Sequence, residues 1–451
     1  MAGLQGINDL KKLFAPLGVK TIYIKLLAKQ QDNDKNQIYL GSGLDGVANL
    51  FPASIGTRSA SQSTAKRESA KGRPKLEAAL DFAWLDAQGK EHLAPNTRII
   101  DYFQYPEVRL SGFLKGCDHP PDSLRRTKQA QYGRRILALG VRSTGRVVGY
   151  VLTEQTDDLA NNFPVLPELP GARVLRVLPI GGSVGSTPFD LLRAELHVIV
   201  KGGWHPSVIL RPGAASPQAF KGAQGAGFTL EALLGVSANA KQSPDKHGYE
   251  IKAHGGSRIS LMTPSPDGGY QGSHTFREFM DKFGSDAKKG DGSRRFTGMY
   301  RSGFPNQTNG MVLVVEGYDA TEDKFQDPAA VAVELRLPET GVVVASWSLA
   351  RLANAWNNKH ASALYVTYES RPSAIAAHGS DYRYHEKIVV GEGTDVWRLL
   401  RAIHRGLVFY DPAHSIYADG KAKVRPQWRV NTKQLVLAAR VLYAEVRSID
   451  L

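Results

Sequence analysis

The stretch SPDKHGYEIKA, residues 243–253, gathers Asp245, Glu250 and Lys252 within eight positions. In GYEIKA the alternation of a β-strand sends Glu250 and Lys252 to one face and turns Ile251 to the other, into a sheet core. Asp245 arrives from a preceding strand or turn. Two carboxylates this close suit a hard divalent cation, which takes oxygen ligands. An ammonium beside them can hold or deprotonate a water. Hydrolysis of a phosphodiester needs that combination: an ion to offset the phosphate charge and an activated nucleophile. The competing reading is an exposed strand carrying an ion pair, because an acid followed by Glu-x-Lys is short enough to arise by chance.

The flanks of this stretch alternate between helix and strand. FTLEALLGV (228–236) reads as an amphipathic helix. Strand candidates are SRISLMT (257–263), GMVLVVEG (310–317), AVAVELR (330–336), ALYVTYES (363–370) and LVFYDP (407–412). SWSLARLANAWNNK (346–359) has Leu349, Leu352, Ala353 and Trp356 at helical spacing. VWRLLRAIHRG (396–406) and VNTKQLVLAARVLYAEV (430–446) are further helix candidates. This half therefore reads as a mixed sheet flanked by helices.

The N-terminal half has a different texture. TIYIKLLAK and QIYL resemble two strands joined by the polar QQDNDKN (30–36). Residues 53–77 are rich in Ser, Ala, Lys and Arg without apolar periodicity and read as an exposed basic loop. Short apolar runs separated by turns follow, from ALDFAWLD (79–86) through ARVLRVLPI (172–180) to LRAELHVIV (192–200). They suggest a β-rich α+β unit. The Gly-, Pro- and Ala-rich GGWHPSVILRPGAASPQAFKGAQGAG (202–227) marks the junction. The expected organisation is an N-terminal domain over 1–205, a linker over 206–227 and a C-terminal domain over 228–451. A fragment starting near residue 215 is expected to fold.

The 451 residues carry 57 Lys and Arg against 43 Asp and Glu, a formal charge of +14. That balance favours an acidic partner, most commonly nucleic acid. The one cysteine, Cys117, excludes an intramolecular disulfide and a cysteine-based zinc site. Without a signal-peptide core or a long apolar run, the chain is expected to be soluble, cytoplasmic and away from membranes.

FTLEALLGVSANAKQSPDKHGYEIKA resembles the active-site region shared by the MutH mismatch-repair nickase and the MvaI/BcnI restriction endonucleases. The resemblance covers roughly residues 220–451, through SLMTPSPDGGY to RPQWRVNTKQL. It implies a PD-(D/E)xK restriction-endonuclease-like fold, with Pro244–Asp245, Glu250 and Lys252 as the motif and Glu231 as a helix-borne acid. Asp245, Glu250 and the carbonyl of Ile251 are then expected to hold Mg²⁺, with Mn²⁺ as a substitute. Lys252 positions the attacking water, and Glu231 supports a second metal or the water network. The implied activity is that of a type II restriction or phage-defence endonuclease on double-stranded DNA, leaving 5′-phosphates and acting as a monomer. Alternatives are a MutH-like repair nickase and a catalytically silent DNA-binding subunit of a defence complex.

KVRPQWRVN (423–431) corresponds to the family's late DNA-contacting segment, so Lys423, Arg425 and Arg429 are expected on DNA, with Trp428 as an anchor. In the N-terminal half, Arg109, Lys115, Arg125, Arg126, Arg134 and Arg135 are candidates for phosphate contact. By analogy with type IIE enzymes, that half could take effector DNA; a defence-system protein is the other expected partner. Rival signals are weaker. GSGLDG (41–46) lacks the following helix and acid of a dinucleotide site, and no GxxxxGK[ST] is present.

Overall fold

The computed structural model describes residues 4, 6–28, 37–41, 47, 50–51, 53–58, 75–102, 107–153, 163, 166–169, 172–180, 187–238, 245–288, 290–326, 329–357, 360 and 362–451. Pro244 of the expected motif, and Gly43 and Gly46 of GSGLDG, lie outside these residues.

The N-terminal half opens with helix α1 (Ile7–Phe14), whose Ile7, Leu10, Leu13 and Phe14 are buried at helical spacing. It continues into two sheets. One runs in the order β11 (Glu168–Leu169), β12 (Ala172–Pro179), β1 (Thr21–Leu27), β9 (Arg135–Val141), β10 (Val147–Leu152), β5 (Phe82–Leu85) and β6 (Glu91–Leu93). The other runs β2 (Gln37–Gly41), β8 (Glu107–Ser111), β7 (Arg98–Tyr102), β4 (Lys75–Leu80) and β3 (Ala53–Arg58). The basic stretch 53–77 is thus not a loop at its two ends. Ala53–Arg58 pairs antiparallel with Lys75–Leu80 in a continuous ladder. Small residues such as Ala53, Gly56, Ala78 and Ala79 carry this pairing, which is why no apolar period announces it.

The C-terminal half is built on a mixed sheet in the order β13 (Trp204–Pro206), β20 (Ser380–Glu392), β19 (Ser362–Pro372) and β14 (Glu250–His254), with β23 (Glu445–Asp450) also pairing β20. Only β14 runs parallel to its neighbour among these pairs. Helices α2 (Pro188–Lys201) and α3 (Gly225–Leu233) pack on one face. There Phe189, Leu192, Leu196 and Leu230 meet Ile251, Leu364 and Val366. The other face, with Ala363 and Tyr365, meets α5 (Val396–His404) and α6 (Leu435–Leu442). The chain thus has the mixed α+β architecture expected, with helices on both sides of a mixed sheet.

The smaller sheets of this half include two three-stranded ones: β15 (Arg258–Met262), β22 (Trp428–Asn431) and β21 (Val408–Tyr410), and β16 (Val312–Glu316), β17 (Ala332–Arg336) and β18 (Val343–Ser348). Helix α4 (Leu349–Asn357) packs beside β3 of the N-terminal half, and one apolar core runs through both halves.

Three segments differ from their sequence reading. LRAELHVIV belongs to helix α2, which is capped by Thr187 and Asp190 and packs on the C-terminal sheet. Residues 206–227 contain the short strands Val208–Ile209 and Gln218–Ala219 and the start of α3. The long helix expected over 430–446 is instead the end of β22, helix α6 and the start of β23. Apolar content alone did not separate these elements, because strand and helix faces here carry the same Leu, Val and Ala.

Candidate active site

Asp245 and Glu250 are brought together by a tight turn. Lys246 and Tyr249 exchange both backbone hydrogen bonds, at 3.1 and 2.8 Å. Between them His247 has φ 50° and Gly248 has φ 84°. Positive φ at both central residues is the two-residue hairpin turn whose twist matches that of strands, and glycine adopts it readily. The chain reverses, and Asp245 returns beside β14. Its Oδ2 accepts from the Ile251 backbone N–H at 2.8 Å. β14 is an edge strand, so this side chain satisfies a main-chain donor that the sheet leaves open.

The turn is clamped from outside. Glu195 on α2 pairs with Lys246 at 2.7 Å and with His247 at 2.9 Å. Lys246 also donates to the Leu234 carbonyl at the end of α3. Burial pushes the Glu195 carboxyl up, but its bonds to Lys246 and His247 outweigh that and hold it below the usual glutamate range. Helix α3, which carries Glu231, sits close to the sheet. A Cβ on Gly225 would lie 2.5 Å from the Tyr382 hydroxyl, and the Tyr384 hydroxyl donates to the Ala226 carbonyl at 2.6 Å.

Glu250 is 2% exposed and accepts from Lys252 Nζ. Burial pulls the Lys252 ammonium down. The charge and hydrogen bond of Glu250, then the charges of Asp245 and Glu231, reverse this and hold its pKa above the ordinary value. Glu231, Asp245, Glu250, Ile251 and Lys252 all line one cleft of about 1100 Å³. The candidate donors are the Asp245 and Glu250 carboxylates with the Ile251 carbonyl. All are hard oxygens, which fit Mg²⁺ or Mn²⁺ and not a soft ion. Among the described residues no three acids, histidines or cysteines gather closely enough to form a metal cluster.

Arg258, Arg425, Gln427 and Arg429 line the same cleft. Arg429 is held on all three guanidinium nitrogens: Nε donates to Ser260 at 3.1 Å, Nη1 to Asp411 at 3.0 Å and Nη2 to Gln427 at 2.7 Å. Arg258 donates to the same Asp411 oxygen at 2.7 Å. Arg425 is exposed. Its backbone N–H donates to His414 Nδ1 at 2.9 Å, and the residue lines the cleft. Trp428 is fully buried, 5.0 Å from Trp347 between ring centroids, and anchors the segment. Lys423 pairs with Ser415 on a short strand and does not line this cleft. Arg109 lies in the N-terminal half, on β8, paired with Glu107 at 2.6 Å.

The sequence profile of the MvaI/BcnI restriction endonuclease family matches residues 193–438, over half of the chain. The protein belongs to the MvaI/BcnI restriction endonuclease family. The match begins inside α2 and spans every residue of the cleft named above. Family members are DNA endonucleases that normally use a divalent metal.

Two solved structures align with this family member. One is a restriction endonuclease MvaI–cognate DNA substrate complex, 21% identical, covering 58% of this chain and 98% of that one with a TM-score of 0.43. The other is MvaI in the absence of DNA, 20% identical, with the same coverages and a TM-score of 0.32. No match was found among curated proteins. No helix among the described residues is long and apolar enough to cross a membrane.

Glu195, Asp411, Arg258 and Ser260 were not legible as site residues. Glu195 lies 50 positions before Asp245 in a helix that reads as part of the other unit. Asp411 stands in no motif. Only the pairing of β21 with β22 brings it to Arg429.

Proposed function

We propose that this family member is a Mg²⁺-dependent, sequence-specific type II restriction or phage-defence endonuclease of the cytoplasm, leaving 5′-phosphates on double-stranded DNA. The observation that carries this reading is the convergence of Glu231, Asp245, Glu250 and Lys252 on one cleft that Arg258 and Arg425 also line. Asp245, Glu250 and the Ile251 carbonyl would hold the metal ion, which offsets phosphate charge and lowers the pKa of a bound water. Lys252 orients the attacking water toward phosphorus. Glu231, on the neighbouring helix, supports the water network from the side. The Asp245 carboxylate is fixed by the Ile251 N–H, so it enters the reaction already placed. Arg425 reads or grips DNA in the cleft, and Arg429 braces the segment that carries it through Ser260, Asp411 and Gln427. The nuclease unit starts at α2, near residue 187, rather than at 228, because α2 supplies both core side chains and the Glu195 clamp.

Incubating a plasmid with the protein, with and without Mg²⁺, tests the proposal. Discrete linear fragments that require the metal are expected. Open circles alone would indicate a nickase, and unchanged DNA with a gel shift would indicate a binding module. Lys252→Ala should abolish cleavage and leave DNA affinity nearly intact; cutting at a near wild-type rate would refute the site.

A further inference from the structure

The N-terminal half contains a basic pocket that the cleft chemistry does not use. It lies between β1, β2, β8 and β9, encloses about 260 Å³, and is lined by Lys25, Gln37, Tyr39, Arg109, Leu124 and Arg135, among others.

Arg135 is 3% exposed. Its guanidinium donates to the backbone carbonyls of Ser123 and Ala28, both at 2.7 Å. These are neutral acceptors, and no carboxylate among the described residues pairs with it. Lys25 is half-buried, with its ammonium 5.7 Å from the centroid of the Tyr39 ring. It too has no carboxylate in ion-pair reach among the described residues. Burial pulls both cations down from their ordinary pKa values. Arg109 is the third cation. Glu107 accepts from its Nε at 3.0 Å and its Nη2 at 2.6 Å, and its Nη1 reaches Gln37 Oε1 at 3.5 Å.

Among the described residues, three cations line this pocket, and Glu107 is bonded to one of them, Arg109. Buried charge is costly unless it is paired. Two of these three cations have only neutral neighbours among the described residues. A bound anion relieves that cost. Arginine and lysine donors suit a phosphate in particular, as a fork and a point charge respectively. The volume admits a phosphate with the sugar it esterifies, and the Tyr39 ring offers a stacking surface beside Lys25.

We infer that this pocket binds the phosphate of a nucleotide, free or at the end of a DNA strand. The pocket is separate from the cleft, so the inference stands or falls independently of the nuclease reading.

The test uses the full-length protein in EDTA, so that no metal-dependent cleavage occurs. Calorimetry measures affinity for inorganic phosphate, thymidine 5′-monophosphate and a 5′-phosphorylated oligothymidylate of twelve residues. Lys25→Met keeps the length and apolar stem of the side chain, and an unchanged urea midpoint checks its fold. It should weaken phosphate and nucleotide binding at least tenfold, whereas Lys252→Met in the cleft should not. An equal loss on the phosphorylated oligonucleotide, absent for its unphosphorylated twin, assigns the pocket to DNA ends. A loss confined to the mononucleotide assigns it to a free nucleotide. Binding of every probe left unchanged by Lys25→Met and by Arg109→Gln, or no phosphate binding at all, overturns the inference.

Discussion

Arg425 and Arg429 are four positions apart in the sequence and face the same cleft, yet their chemistry differs. Arg429 spends all three guanidinium nitrogens on Ser260, Asp411 and Gln427. Arg425 is exposed and lines the cleft, with no ion pair to its guanidinium among the described residues. A bidentate arginine–guanine contact discriminates by about 1–3 kcal/mol. Arg425→Ala is therefore expected to cost that much on the cognate site and much less on random DNA. Arg429→Ala removes a partner from Asp411, which is largely buried, and should lower the urea midpoint and weaken both DNAs alike. Affinities for both DNAs at one fixed salt, with unfolding curves, separate the roles. An equal loss on cognate and random DNA for Arg425→Ala would remove it as a base reader.

Among elements, the hairpin turn at 246–249 and helix α2 act as one piece. Glu195 holds the turn that returns Asp245 to β14, without lining the cleft itself. Glu195→Gln keeps the shape and drops the charge. It should lower kcat about tenfold, the size of losing roughly 1.4 kcal/mol of positioning. DNA affinity measured without metal should stay unchanged; a kcat equal to wild type would show that the turn holds itself. The same helix revises where the chain can be cut. A fragment starting near residue 215 would lose Phe189, Leu192, Leu196 and Ile199 from the core, together with β13. It is expected to be unfolded by near-ultraviolet circular dichroism, whereas a fragment starting at 187 should give a cooperative urea transition. A folded, active 215 fragment would contradict the packing role given to α2.

Across the whole molecule, burial sets a pH limit. Burial pulls His254 and His414 down to about 4. An unfolded histidine titrates near 6.5. Between those values the unfolded chain binds protons that the native state refuses, so stability present above about pH 6.5 is lost as the pH falls toward 4. At pH 5 the loss is about 2 kcal/mol per histidine. The urea midpoint should drop between pH 7.5 and pH 5, and His254→Gln should remove about half of the drop. A midpoint independent of pH over that range would mean that these rings are not held neutral. The net charge of +14 bears on binding instead. DNA affinity should fall steeply with salt as counterions stay on the phosphates, and a flat dependence would argue against DNA as the main partner.

What the sequence determined by itself was local. The alternation in GYEIKA put Glu250 and Lys252 on one strand face and Ile251 in the core, and the structure has that arrangement. The family-like order of acid, Glu-x-Lys and late arginine segment was also legible, because it lies within short windows that a period or a motif can span. Tertiary structure decided the rest. It assigned α2 to the C-terminal sheet, put Glu195 on the 246–249 turn, joined Asp411 to two arginines and brought Lys25, Arg109 and Arg135 to one pocket. Each of these depends on which distant segments pack together. That choice is made by the total apolar surface buried and by backbone pairing across the whole chain, and no single window carries it. The small-residue ladder of Ala53–Arg58 against Lys75–Leu80 shows the same limit: its strands exist because each satisfies the other's backbone, not because either has a strong pattern of its own.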